Sequence, residues 1–267
     1  MRSSYPAART SRKIIMITKS YLWLCLVLLL VLAGCRGPQF VNHPRLAFEV
    51  DFTVFEDVGC PPYNEYGEYS ARRCAADSPL QALGCDAIRK DLTLDGLEPV
   101  YPIAECIVSP GYATEPLAVT EQMFAEGQYL FIEGDAQPNF IRYVIWRNDH
   151  FELVATREEF SRAFAPITTP AEALSYALVQ QHKLAGLYDL AYDPAYEYFV
   201  DEIEDTHVEE IDGGYLVHLF AYDELGCEPR IVESVAVEVT TEGVVREIER
   251  EAIYQAPSDD DCVEEEF

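Results

Sequence analysis

Lysine is nearly missing from this chain of 267 residues: beyond residue 34 only Lys90 and Lys183 occur. Cations of both kinds are scarce, 19 Lys plus Arg against 47 Asp plus Glu, which sets the net charge at -28. Nucleic-acid binding draws its affinity from clustered Lys and Arg, so a nucleic-acid partner is excluded. Attachment to a membrane through a polybasic surface is excluded for the same reason. Also missing is an unbroken apolar run of about 20 residues, the length a bilayer-spanning helix needs.

The familiar catalytic signatures are absent as well. None of Ser70, Ser78, Ser109, Ser161, Ser175, Ser234 and Ser258 lies in a G-x-S-x-G elbow. There is no G-x-G-x-x-G, no P-loop and no H-E-x-x-H. No catalytic residue and no cofactor is therefore expected from motif. Carboxylate pairs for acid-base work can be drawn almost anywhere among 47 acids, and so discriminate nothing. What is present is the content of a folding chain, 49% hydrophobic and 12% aromatic residues, in a length that suits one or two domains.

The N-terminus carries the most specific pattern. Residues 1 to 34 hold Arg2, Arg9, Arg12, Lys13 and Lys19 with no acid, followed by an apolar run from Tyr21 to Gly34. A basic region and a short apolar stretch read as a secretory signal, with Met16 as a second possible start. The run closes on Leu32, Ala33, Gly34 and Cys35, which resembles the lipobox of bacterial lipoproteins. That resemblance covers only the first 35 residues. It implies cleavage before Cys35, lipid on Cys35 and stable attachment through more than one acyl chain. Arg36 in place of Asp after the cysteine implies, in a Gram-negative envelope, passage to the outer membrane. With the five cations of the signal removed, 14 remain against 47 acids, a balance of -33.

Cys25 leaves with such a signal and Cys35 takes the lipid. Cys60, Cys74, Cys85, Cys106, Cys227 and Cys262 remain, an even six that reads as three disulfides in an exported chain. No pair has C-x-x-C spacing, so neither a zinc ribbon nor a thioredoxin-like pair is supported. The clustering implies bridges among Cys60, Cys74, Cys85 and Cys106, of open connectivity, and a separate bridge between Cys227 and Cys262.

Residues 35 to 45, with Gly37, Pro38 and Pro44, read as a short lipidated tether, and residues 46 to 128 as a cysteine-clustered region. Alternation from Leu46 to Val54 predicts a half-buried strand, and Ser78 before Pro79 opens a helix through Ile88. Residues 129 to 267 read as an α+β meander region, continuous with the preceding one or separate from it. Strands are expected at 129 to 133, 140 to 147 and 151 to 155, with a tight turn at Asn148 and Asp149. Thr156 with Glu159, and Thr169 with Glu172, are capping boxes that open two helices, the second ending at Gly186. Four strands follow, at 207 to 211, 215 to 222, 232 to 241 and 244 to 254. The fold class is α+β: antiparallel β meanders with two short helices packed on one face, stapled by disulfides. This order resembles cystatin-like modules, a likeness of fold that implies no activity.

Two clusters are candidate sites. If Asp212 and Gly213 form the turn of the 207 to 222 hairpin, His207 lies directly opposite His218; if Gly213 and Gly214 do, the two are diagonal neighbours. Either way His207, Glu209 and His218 share one face with Asp205 nearby, a set able to hold zinc or a similar ion, or simply a solvated strand face. Tyr192, Tyr196 and Tyr198, interleaved with acids, offer rings for a glycan or peptide, or pack over the sheet. The expected function is a binding or interaction module anchored in a bacterial envelope on the extracytoplasmic side. Its partners would be the membrane, through the lipid, and a protein or glycan of the envelope. A carboxylate-dependent hydrolase of an envelope polymer and a purely structural envelope protein are the alternatives.

Pairing Thr241 with Val244 across a two-residue turn sets Val232 opposite Ile253 and brings residue 227 near 258. Cys262 is then within reach of Cys227, and a bridge closing that 35-residue loop contributes roughly 3 to 4 kcal/mol. A non-reduced tryptic map should yield a Cys227 to Cys262 peptide; Cys227 linked to the N-terminal cluster refutes the pairing.

Overall fold

The computed structural model describes residues 37–45, 51–62, 73–90, 92–108, 129–133, 139–222 and 229–257. In chain order its elements are β1 (Gln39–Val41), α1 (Thr53–Asp57), α2 (Pro79–Ala82), β2 (Ala87–Arg89), β3 (Ile103–Val108), β4 (Phe131–Glu133), β5 (Asn139–Arg147) and β6 (His150–Val154). Then come α3 (Arg157–Phe164), α4 (Pro170–Gln180), β7 (Glu197–Tyr198), β8 (Glu202–Glu204), β9 (His207–Ile211), β10 (Gly214–Ala221), β11 (Arg230–Thr240) and β12 (Val245–Ala256).

One sheet pairs β5 with β3 along one side and with β4 and β6 along the other, β2 lying beyond β3. The other runs β7, β12, β11, β10, β9, all antiparallel. A parallel pair, β1 with β8, stands apart. The class is α+β, with antiparallel meanders and disulfide staples. Asn148 and Asp149 turn β5 into β6 at φ 53° and 62°, the left-handed pair that a two-residue hairpin loop requires.

Period two explains the packing. Ile103 and Ile107 of β3 face a core shared with Tyr143, Phe160, Tyr176, Val217 and Val237, so both sheets and both long helices close on one interior. Ala104 and Cys106 face the other way, onto Phe55, Leu80, Ile88 and Val144. The bridges Cys60 to Cys74 and Cys85 to Cys106 lie in this second core and settle the connectivity of those four cysteines. A third cluster, Ile203, Phe220, Val232, Ile253 and Tyr254, covers part of the second sheet's outer face. On that sheet the scarce arginines are cross-strand partners of acids: Arg246 of Glu238, and Arg250 of Glu233.

Four expectations need correcting. Thr53 and Val54 open helix α1 rather than close a strand, while residues 46 to 50 lie outside the described residues. The helix capped by Ser78, whose side chain accepts from Leu80 N, stops at Ala82, and Ala87–Arg89 extends to pair with β3. Helix α4 ends at Gln180, not near Gly186, because Ala185 exchanges both backbone bonds with Phe220 at 2.8 and 3.0 Å. Val232 faces Tyr254, not Ile253: Thr240 rather than Thr241 pairs with Val244, and two irregularities then shift the β11 to β12 register by one residue each. The expected pair Cys227 and Cys262 lies outside the described residues.

Both capping boxes are formed. That of α4 is buried: Glu172, 1% exposed, accepts from Thr168 N, Thr168 Oγ1 and Thr169 N at 2.7, 3.0 and 3.2 Å. Glu172→Ala leaves those donors without an acceptor and should lower the unfolding free energy by about 2 to 3 kcal/mol. Urea denaturation checks this; a loss below about 0.5 kcal/mol contradicts the role given to the box.

Candidate functional site: an imidazole stack under the tether

The β9 to β10 hairpin turns at Asp212 and Gly213, where Gly213 holds φ at 88°, a value that L side chains rarely adopt. That turn sets the register, and the register places His207 directly across from His218. Their rings stack with centroids 4.1 Å apart and planes within 9°. Since His218 alternates with the core residues Val217 and Leu219, both imidazoles lie on the face of the sheet that points away from the main core.

A third imidazole lies over them. Strand β1 pairs Gln39, Phe40 and Val41 with Glu202, Ile203 and Glu204, and two residues further on His43 stacks on His207 at 3.8 Å. Asp205 fixes this arrangement. Its N–H donates to Val41 O at 3.0 Å, its Oδ1 accepts from His43 N at 2.7 Å, and its carbonyl lies 2.7 Å from His207 Nδ1. A carbonyl only accepts, so Nδ1 must carry the proton, and in the neutral ring Nε2 presents a bare lone pair.

Two carboxylates face that lone pair. Glu204 Oε2 and Glu209 Oε1 each lie 3.5 Å from His207 Nε2; Glu209 Oε1 is 3.6 Å from His218 Nε2, and Glu204 Oε2 is 3.0 Å from His43 Nε2. His207 Nε2 and His218 Nε2 are buried without a hydrogen-bond partner among the described residues. The His207 side chain is 6% exposed, while Glu204 and Glu209, at 44% and 56%, are open to solvent. Burial, and next the neighbouring His207, hold the His218 imidazole below the ordinary histidine range against the pull of Glu209 and Glu204. Two overlapping donor sets result, His43 with Glu204 and His207, and His207 with Glu209 and His218. In each set the nitrogen and carboxylate oxygen atoms, donor types that can hold an ion, lie within 4.8 Å of one another.

The second candidate cluster lies against the same outer face. Tyr192 stacks on Tyr198 at 5.4 Å, Tyr196 on Tyr254 at 5.1 Å, and Phe40 of β1 meets Tyr198 edge-on at 6.0 Å. Burial, with Tyr196, Tyr198 and Tyr222 close by, pushes the Tyr254 phenol up to about 12. Gly37 passes so close under Tyr192 that a Cβ there would stand 2.5 Å from the ring. These rings pack over the sheet and hold down the tether, although Tyr192 keeps 55% of its surface. Sequence reasoning missed His43 and Glu204. The apolar pair Phe40 and Val41 inside an otherwise polar tether was the one local sign that this segment docks. Compared with protein-family models, curated proteins and solved structures, the chain matches none.

Asp205→Ala should free residues 37–45 while leaving the sheets intact. Hydrogen exchange at Val41 and His43 is expected to accelerate by about tenfold or more, the loss of roughly one charge-assisted bond. Unchanged protection there contradicts the clamp.

Proposed function

We propose that this chain is an exported lipoprotein, held at an envelope membrane through Cys35, whose α+β body binds a ligand on the extracytoplasmic side. The observation that carries the reading is the pair of buried disulfides, Cys60 to Cys74 and Cys85 to Cys106, in a chain that opens with a lipobox. Such bridges persist in oxidising compartments, where a secretory signal delivers its cargo.

The docked tether adds to it. Gly37, two residues after Cys35, already lies against the body beneath Tyr192, so the chain between lipid and fold reaches no more than ~7 Å. The body then rides close to the bilayer instead of on a long stalk. A binding role suits the imidazole stack, in which ring nitrogens lie close to carboxylates open to solvent. The membrane is the first partner, and the -33 balance past residue 34 favours cations and basic protein faces as others.

Treating producing cells with globomycin, which blocks cleavage at the lipobox, should accumulate a precursor heavier by the 34 residues before Cys35. A cell-associated protein of unchanged mass would falsify the lipoprotein reading.

A further inference from the structure

We propose that the imidazole stack binds one borderline divalent metal ion of the zinc type, held by His207, His218 and Glu209 and closed over by Glu204 and His43 from the tether. The proposal names the ligand of the binding module argued above and rests on that reading.

Distances carry the argument. A hydrogen bond between a ring nitrogen and a carboxylate spans about 2.7 to 3.2 Å. His207 Nε2 and His218 Nε2 instead stand 3.5 and 3.6 Å from Glu209 Oε1, too far for a proton to bridge well. Bonds of about 2.0 to 2.1 Å in a tetrahedral shell set neighbouring donors about 3.3 Å apart, close to what is seen. The His207 ring is also fixed in advance. The Asp205 carbonyl accepts a hydrogen bond from His207 Nδ1–H, the bond that orients metal-bound histidines elsewhere. His207 Nε2, a lone pair in the neutral ring, and His218 Nε2 are both buried without a hydrogen-bond partner among the described residues and face acid oxygens, and a cation between them satisfies all at once. Imidazole nitrogen favours zinc, copper or nickel over the oxygen-seeking calcium and magnesium.

His43 sets this apart from a hairpin site alone. It stacks on His207 and reaches Glu204, yet belongs to the segment that follows the lipidated cysteine. Metal binding and docking of the tether are therefore linked, and by reciprocity each strengthens the other by the same factor. An empty site loosens the hold on residues 37–45; a filled one draws the body toward its anchor.

The test uses the full-length protein in detergent, stripped with a chelator and titrated with Zn2+ by calorimetry while the histidine ring signals are followed by NMR. One site is expected, with the His207 and His218 rings shifting, those of exposed His150 and Phe131-stacked His182 unmoved, and Ca2+ moving none. His207→Ala and His218→Ala should weaken binding by at least about 100-fold and His43→Ala by about tenfold, while His150→Ala changes nothing. Zn2+ should also slow exchange at Val41 and His43, and His43→Ala should abolish that slowing. If Zn2+ leaves the His207 and His218 rings of the unaltered protein unmoved, or binds His218→Ala as tightly, the site is overturned. Tight binding that is indifferent to His43→Ala overturns the link to the tether. A lipidated protein that takes no zinc loses only this ligand; one that takes zinc but carries no lipid loses only the anchor.

Discussion

Asp205 is the residue on which the outer half of the molecule depends. It is 1% exposed, and a buried carboxyl must find partners or be costly. Its amide, Oδ1 and carbonyl each take one, Val41, His43 and His207, while Oδ2 is buried without a partner among the described residues. Through these three bonds one side chain and its backbone fix the tether to the sheet and orient an imidazole. They add to the three-residue parallel pairing of β1 with β8 and to the aromatic contacts of Phe40 and His43.

That clamp solves a packing problem of the second sheet. Its inner face is closed by Val217, Leu219, Val235 and Val237 against the helices and the first sheet. Its outer face carries Phe220, Val232 and Tyr254, which would face water if nothing lay over them. The tether and the tyrosine-rich segment do so, with Phe40, Tyr196 and Tyr198 packed against that cluster. The apolar cover and the polar site are thus two ends of one surface: aromatic contact holds the segment down, and the stacked imidazoles lie where its coverage thins. Cover and site meet in a stretch of nine residues, 37–45, through Phe40 and His43.

Local chemistry was readable where one rule acted alone. Thr156 with Glu159 and Thr169 with Glu172 announced both long helices, because a capping box satisfies backbone donors within four residues and needs no distant partner. Asn148 with Asp149, and Gly213 after Asp212, announced their hairpins through residues suited to the left-handed region. Strand β3 went unread because it is buried on both faces. Ile103, Ala104, Cys106 and Ile107 show no alternation, for each side meets a different core. The stretch through Val54 misled in the opposite sense: its alternation imitates a strand, but Phe52 and Phe55 pack in the disulfide core from a single helical turn.

The sequence by itself determined the class of the fold, the two long helices, the order of the meanders and the shared face of His207 and His218, all set by periodicity and turn chemistry over a few residues. The tertiary structure alone decided that a third imidazole joins them. His43 and Asp205 are 162 residues apart, and only parallel pairing of β1 with β8 brings them together. A parallel pair has no hairpin to fix its register, and three residues are too few to show a period. Burial was decided there too: a hairpin face that would be wet on its own is covered by the tether, and His207 is buried, with the Nε2 atoms of His207 and His218 left without a hydrogen-bond partner among the described residues.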